Sequence, residues 1–411
     1  MKVMVSILSL LYISTVPVEC TPELQLVQIV FAHKTYAPIL DLINSNDTNL
    51  PDNLTYEYFN SAPLNMPNTS MLNMYNLGVH FREVYDEFLG DIFTIETMKM
   101  QTAEYPLSMI SGQLVNSGLW PPAETQKWST DINWQPIPTD YVYTKKDALL
   151  LGIQCPSFLL EMEKVLNMDE VQEKLSHYST LFDHVSQNTG VKIQYPSEMA
   201  LLYAVLETKA DLNQSLPYWA KDIFPDGGMY NVSLLQYDLL WQTELQKQLN
   251  GGTILKEILA NSIMYIQGDI PKQRKLMIYS GNERNIVGIL RALNLWSPHI
   301  PHEGASVIFE LYFDNETISH GIKINYYTGV DDTTVPLKIS NCTEICPVRT
   351  FLHSVFDLLP QNEERLCNWE KIDLFSNMHV ILNDTIYSRS VSHTLEIIVL
   401  SLTSIIILFV Q

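Results

Sequence analysis

The clearest hydrophobic pattern near the N-terminus is an apolar, β-branched run at residues 24–31. The run reads Leu-Gln-Leu-Val-Gln-Ile-Val-Phe and predicts a buried β-strand. It stops at a single histidine, His33, where the chain is expected to turn. In doubly wound α/β folds, ligands bind at the carboxyl ends of the strands. His33 is therefore the first candidate functional residue.

Beyond this strand the pattern is mixed at first, and from about residue 156 to 260 the spacing of apolar residues predicts helices. Residues 39–70 are rich in Asn, Asp, Pro and Ser and predict a loop, whereas 91–100 predict a short strand. Helices are predicted at 77–90, 109–119, 158–166, 171–185, 197–209, 234–249 and 254–262. Strand patterns return at 275–279, 306–313 and 320–327.

A strand–helix unit, a helical block and further strands are typical of an α/β core with a cap. The predicted fold class is therefore α/β, with a doubly wound mixed or parallel sheet and an inserted all-helical cap domain. The predicted core comprises residues 21–155 and 263–383, and the predicted cap comprises residues 156–262.

Both ends of the given sequence carry apolar segments that are typical of targeting signals. Residues 1–20 predict a signal peptide, because Lys2 precedes an apolar stretch of suitable length. The predicted tail, 384–411, contains an uncharged apolar run at 397–410, which is shorter than a bilayer-spanning helix needs. It fits a GPI attachment signal best, with a short membrane helix or a packed helix as alternatives.

Charge, cysteines and sequons agree with an exported protein. The formal net charge of −21, from 46 acidic and 25 basic residues, argues against nucleic-acid partners. The chain has five cysteines, and cleavage after Cys20 would leave four, an even number that suits two disulfides. A zinc site at Cys342 and Cys346 is not expected, because no histidine or further cysteine lies nearby at ligand spacing. Eight glycosylation sequons are present, at Asn46, Asn53, Asn68, Asn213, Asn231, Asn315, Asn341 and Asn383.

Several motifs resemble the histidine acid phosphatases, notably the animal secreted and lysosomal enzymes and the insect venom enzymes. The opening strand with His33 and Pro38 resembles the family's Arg-His-Gly-x-Arg-x-Pro signature. The later matches are segments 111–122, Trp-Gln-Pro-Ile-Pro at 134–138, 279–284 and 341–347. The resemblance covers about residues 24–370, and it implies the disulfide pairs Cys155–Cys367 and Cys342–Cys346.

The resemblance also implies a mechanism, in which a histidine attacks phosphorus, arginines hold the phosphoryl oxygens, and an acid protonates the leaving group. His33 occupies the nucleophile position and Glu283 the proton-donor position. The three arginine positions and the second histidine position are substituted, by Ala32, Tyr36, Gln101 and Asn282. Lys34 and Arg284 lie beside the site in sequence, where they could restore some positive charge.

Two functions remain open at this stage. The first is a non-catalytic family member that acts by binding an unidentified ligand or protein partner in the old cleft. The alternative is an active acid phosphatase that hydrolyses phosphate monoesters through a phosphohistidine at His33. Neither function requires a metal or a cofactor, and the family resemblance leaves a homodimer open.

Overall fold

The computed structural model describes residues 21–34, 66–190, 192–211, 213–329 and 333–369. Several predictions lie outside these residues: the signal peptide, the C-terminal tail, the substituted position Tyr36, and the sequons at Asn46, Asn53 and Asn383. None of the described helices is both long enough and apolar enough to cross a lipid bilayer.

One mixed sheet forms the centre of the fold. Its strands are β1 (Glu23–His33), β2 (Met98–Ala103), β3 (Asp140–Val142), β4 (Leu276–Asn282), β5 (Ser306–Asp314), β6 (Ser319–Tyr327), β7 (Thr334–Leu337) and β8 (Cys346–Pro347). The order is β3-β2-β4-β1-β5-β6-β7, and β8 pairs with β6. The pairs β3–β2, β2–β4 and β4–β1 are parallel. The pairs β1–β5, β5–β6, β6–β7 and β6–β8 are antiparallel.

Strand β1 lies in the middle of the sheet and is buried on both faces. Val27, Ile29 and Phe31 contribute to the hydrophobic cluster on one face. Leu26, Val30 and Ala32 contribute to the cluster on the other face. This division follows from the two-residue repeat of a strand, and burial on both faces explains why the run is almost continuously apolar.

Helices cover both faces of the sheet. They are α1 (Asn68–Leu89), α2 (Pro106–Leu119), α3 (Pro156–Leu166), α4 (Asp169–Ser176), α5 (Ser179–Thr189), α6 (Pro196–Asp211), α7 (Gly228–Leu239), α8 (Glu244–Lys247), α9 (Thr253–Gln267), α10 (Glu283–Ala292), α11 (Val348–Val355) and α12 (Glu363–Cys367). Helices α1 to α7 share the cluster of Phe31, whereas α9, α10 and α11 share the cluster of Ala32. The predicted α/β class with a mixed sheet is confirmed.

Several predicted boundaries differ from the structure. The predicted loop at 39–70 overlaps the start of α1, and the predicted strand at 91–100 overlaps only the first residues of β2. The single helix predicted at 171–185 is two helices, α4 and α5, which meet between Ser176 and Ser179. Helix α10 follows β4 without a loop and was not predicted. The boundaries of the cap remain a prediction.

The described residues contain two disulfides, between Cys155 and Cys367 and between Cys342 and Cys346. These are the pairs that the family resemblance implies. The five sequon asparagines within the described residues are all exposed: Asn68, Asn213, Asn231, Asn315 and Asn341. Their exposure permits glycosylation, which stays a prediction.

Candidate functional site

His33 is the last residue of β1 and is almost fully buried, with 2% of its surface exposed. Parallel pairing places it level with Asn282, the last residue of β4. Its Nδ1 lies 3.2 Å from the backbone oxygen of Lys34, and its Nε2 lies 2.9 Å from the hydroxyl oxygen of Tyr105. The two rings meet edge to face, with centroids 5.4 Å apart. Both ring nitrogens therefore have a partner.

These contacts determine the tautomer of His33. A backbone carbonyl oxygen can only accept a hydrogen bond, so Nδ1 must carry the proton and donate to Lys34. In the neutral ring Nε2 is then the acceptor, and the hydroxyl of Tyr105 donates to it. The lone pair of Nε2 is the one that a nucleophilic histidine would use. In this structure that lone pair already accepts a hydrogen bond from the hydroxyl of Tyr105.

Burial also controls the charge of His33. Loss of hydration lowers the pKa of the His33 ring to about 4, and the hydrogen bond to Lys34 opposes that shift only in part. The ring is therefore neutral through the mildly acidic range. In this pH range protonation does not remove the nucleophilic lone pair of the ring. The hydrogen bond from Tyr105 opposes nucleophilic attack, because it occupies that lone pair on Nε2.

The lowered pKa of His33 predicts a specific dependence of stability on pH. In the unfolded chain the ring takes up a proton as the pH falls through about 6.5, but the folded protein excludes that proton until about 4. Stability from this group is complete above the unfolded pKa and falls between these two values. We expect wild type to lose about 3 kcal/mol more unfolding free energy than His33→Gln between neutral pH and pH 4.

Chemical denaturation at a series of pH values measures this difference. The control is His184→Gln, which removes an exposed histidine instead. Parallel pH profiles for wild type and His33→Gln would contradict the lowered pKa of His33.

Lys34, the next residue, is held by two carboxylates of α6. Its Nζ lies 3.0 Å from Glu207 Oε2 and 2.6 Å from Asp211 Oδ2. Burial alone would lower the pKa of Lys34, but Glu207 and Asp211 outweigh it and raise the pKa. Lys34 is thus charged, and its charge is already balanced by carboxylates from a helix about 170 residues away in sequence.

The segment after β4 starts helix α10 and is stabilised by a capping box. Asn282 Oδ1 accepts hydrogen bonds from the backbone N–H groups of Arg284 and Asn285, at 3.0 and 3.3 Å. Asn285 Oδ1 accepts in return from the N–H of Asn282, at 2.9 Å. The side-chain oxygen of Asn282 therefore serves the helix N-terminus. Glu283 and Arg284 form a neighbouring ion pair, with 3.5 Å between Oε1 and Nε.

These residues border a cavity of about 450 Å³ at the carboxyl end of β1, which has the size of a small-molecule site. His33, Lys34, Glu283 and Arg284 line it. The helices α1, α6 and α7 and the loop before β5 supply the rest of the wall. Among the described residues, the charged groups and histidines of its lining are four carboxylates, two bases and two histidines: Glu207, Asp211, Glu283, Glu303, Lys34, Arg284, His33 and His302. In this described part of the lining, acidic groups outnumber basic groups.

Three of the substituted positions are described, and none is among the described residues that line the cavity. Ala32 is 1% exposed and packs in the hydrophobic cluster on the opposite face of β1. Gln101 pairs in register with Tyr279, which itself pairs with Val30. It therefore lies three residues short of His33, or about 10 Å along the strand direction. Asn282 serves as the helix cap. The structure brings His33 and Glu283 to one cavity, but not these three residues.

Sequence reasoning missed most of the cavity wall. Glu207 and Asp211 are four residues apart on a helix, so they share one face, and that spacing could have drawn attention to them. Gln236, Tyr237, His302 and Glu303 carry no comparable local signal. No group of three or more His, Cys, Asp or Glu side chains suited to a metal ion occurs in the described part of the chain.

Comparison with known proteins gives the family. The profile of the histidine phosphatase superfamily, branch 2, matches residues 65–326. The venom acid phosphatase Acph-1 of Apis mellifera is 31% identical over 373 residues, which cover 90% of this chain and 94% of that protein. The chain belongs to the histidine acid phosphatase family. The prostatic acid phosphatase of Rattus norvegicus is 26% identical over 350 residues, 84% of this chain and 89% of that protein.

Solved structures agree with the fold of a histidine acid phosphatase. The phytase of Hafnia alvei in complex with myo-inositol hexakis sulphate superposes with a TM-score of 0.61 at 15% identity, covering 84% of this chain and 98% of that chain. The phytase of Klebsiella sp. ASR1 also gives a TM-score of 0.61, at 13% identity, covering 84% and 99%. At these identities the likeness concerns the fold alone. The predicted family and fold class are both confirmed.

Proposed function

We propose that this histidine acid phosphatase family member is an exported, glycosylated, surface-anchored protein that acts by binding in the cavity beside His33. Catalysis of phosphate-ester hydrolysis is impaired in this proposal. The observation that carries it is the state of His33, whose Nε2 lone pair accepts the hydrogen bond of Tyr105. Fold alone does not transfer an activity when the residues of the site differ.

The charges beside His33 support the same proposal. The two basic side chains that the described part of the cavity wall contains, Lys34 and Arg284, are paired with carboxylates of the same cavity. A phosphate monoester entering there would have to compete with those carboxylates for each cation. Hydrogen bonds to charged groups contribute about 1.5–3 kcal/mol each, so three missing arginines remove about 5–9 kcal/mol of phosphoryl stabilisation. That corresponds to several powers of ten in rate, at about 1.4 kcal/mol per decade.

The export, the glycosylation and the anchor rest on sequence. Signal-peptide character at 1–20, eight sequons and the apolar tail at 384–411 support them. The relatives named venom, prostatic and lysosomal acid phosphatases are consistent with the secretory pathway. Release from cells by a phosphatidylinositol-specific phospholipase tests the GPI form of the anchor, and retention after that treatment would contradict it.

Hydrolysis of a chromogenic phosphate monoester at acidic pH tests the binding proposal. We expect purified wild type to show no turnover above the His33→Ala variant, while the Apis mellifera venom acid phosphatase serves as the positive control. Circular dichroism confirms that both forms of this protein are folded. Turnover that is present in wild type and lost in His33→Ala would overturn the proposal.

One observation favours the alternative, a weak acid phosphatase. His33 is neutral at mildly acidic pH because its pKa is lowered, and the carboxyl group of Glu283 lines the same cavity. A nucleophile position and an acid position are thus together. The Tyr105→Phe variant, which removes the hydroxyl that donates to Nε2, gains measurable His33-dependent turnover only if this alternative holds.

A further inference from the structure

The mouth of the cavity beside His33 is marked by the lining residues that solvent reaches. Four of the described lining residues are exposed: Thr69, Asn73, Asp211 and His302. The other described lining residues are buried or partly buried. Thr69 and Asn73 lie in the first turns of α1, whereas Asp211 is the last residue of α6. These four residues are called the mouth below.

Two glycosylation sequons lie directly beside the mouth. Asn68 is the first residue of α1, immediately precedes Thr69, and is itself exposed. Asn213 is also exposed and follows Asp211 by two positions, just beyond the end of α6, with a φ of 55°. Asparagines of this motif in an exported chain accept N-linked glycans, which are bulky and remain at the surface. Two different walls of the mouth, α1 and α6, therefore each have an attachment point.

The other three described sequons lie away from the mouth. Asn231 is on α7, whose contributions to the lining, at positions 233, 236 and 237, are all buried. Asn315 lies between β5 and β6, and Asn341 lies between β7 and β8. Those two connections contribute no described residue to the lining. The chain thus offers both glycan positions at the mouth and glycan positions remote from it.

The size of the cavity separates small ligands from protein ligands. A volume of about 450 Å³ accommodates a small organic molecule inside it. A folded protein cannot enter that volume and would have to rest on the mouth, where a stable complex covers about 800 Å² of each partner. Glycans on Asn68 and Asn213 would stand within that area. They obstruct a protein surface, whereas a small molecule diffuses between them.

We propose that N-linked glycans on Asn68 and Asn213 shield the mouth, so that the cavity takes small molecules and excludes protein ligands. This inference rests on the proposed function, because it narrows the ligand of the same cavity and uses the proposed glycosylation. During export, Nδ2 of each asparagine bonds to the anomeric carbon of a lipid-linked oligosaccharide. The bond from that carbon to the lipid diphosphate breaks, the diphosphate leaves, and the amide nitrogen loses one proton.

Glycan occupancy is the first measurement. The full-length chain is expressed in a secreting insect cell line, and its peptides are analysed by mass spectrometry before and after treatment with peptide N-glycosidase F. We expect this enzyme to convert both Asn68 and Asn213 to aspartate, which marks a released glycan. An unmodified asparagine at either position would overturn the proposal.

Access to the cavity is the second measurement, with Ser197→Cys as the reporter. Ser197 lies on α6, lines the cavity and is partly exposed. The four cysteines that follow Cys20 all pair in disulfides, so the new residue supplies the reactive thiol of the mature chain. We expect N-ethylmaleimide to react readily and a polyethylene-glycol maleimide to react several-fold more slowly. Ala200→Cys, also on the lining, is a second reporter should the first variant fold poorly.

Matched sequon variants separate the mouth glycans from glycans in general. Asn68→Gln combined with Ser215→Ala removes both mouth sequons, and Ser215→Ala leaves the backbone of Asn213 unchanged. In this background the large maleimide should react several-fold faster, with no change for N-ethylmaleimide. Asn231→Gln combined with Asn315→Gln removes two remote sequons and should leave both rates unchanged.

Three results would overturn the shield. They are equal rates of the large reagent in the mouth variant and its parent, equal acceleration by the remote variant, and failure of N-ethylmaleimide to react at either reporter position. Each of these readouts is independent of catalysis. Hydrolysis that depends on His33 would instead overturn the non-catalytic function, whatever the labelling rates are.

Discussion

Removing the disulfide between Cys155 and Cys367 is expected to lower the free energy of unfolding by about 5 kcal/mol. The bond joins residues that are 212 positions apart in sequence. In the chain-entropy account, a cross-link stabilises by restricting the unfolded chain, and a longer closed loop gives a larger effect. Cys155 directly precedes α3 and Cys367 ends α12, so the bond also fastens the last described helix to the start of the helical block. Urea denaturation of Cys155→Ala combined with Cys367→Ala measures the loss.

The second disulfide provides the matched control. Cys342 and Cys346 are only four positions apart, so the same account gives about 2 kcal/mol for Cys342→Ala combined with Cys346→Ala. All four disulfide cysteines are buried, so the two double alanine variants lose similar amounts of buried side chain and differ mainly in loop length. If the two double variants lose equal stability, loop length does not determine the effect and the prediction fails.

Local patterns were sufficient to predict the central strand and the class of the fold. Residues 24–31 form β1 almost as predicted, because a strand buried on both faces must be apolar at nearly every position. The predicted helix at 171–185 failed at one point, between Ser176 and Ser179, where the chain ends one helix and starts another. His177 and Tyr178 occupy that break, and neither is a strong stop signal.

The site was predictable only where its residues end strands. The strand pattern pointed to His33 and the family resemblance pointed to Glu283, and parallel pairing brings the ends of β1 and β4 together. The partners of Lys34 were not predictable, since Asp211 is 177 positions away and no local rule links the two residues. The hydrogen bond between Tyr105 and His33 likewise joins residues 72 positions apart. The chemistry of the cavity depends on these distant contacts, which a family resemblance at its signature positions does not reveal.

Replacing Gly78 with alanine is expected to destabilise the protein by about 3 kcal/mol, although alanine is the better helix former. Gly78 lies on α1, and a Cβ atom there would be 2.1 Å from the backbone oxygen of Val115 on α2. Gly118 makes the reciprocal contact, since its Cβ would be 2.1 Å from the backbone oxygen of Tyr75. Neither obstacle is a flexible side chain, so the two helices would have to move apart.

Helix propensity and packing predict opposite signs for this substitution. Propensity alone gives a gain of about 1 kcal/mol for each glycine changed to alanine, whereas the backbone clash gives a loss. Ser117→Ala is the control, because Ser117 is partly exposed beside Gly118 and its loss should change stability by about 0.5 kcal/mol or less. Thermal and urea unfolding of Gly78→Ala, Gly118→Ala and Ser117→Ala decide between the two. A stabilised Gly78→Ala protein would show that α1 and α2 are not in direct backbone contact.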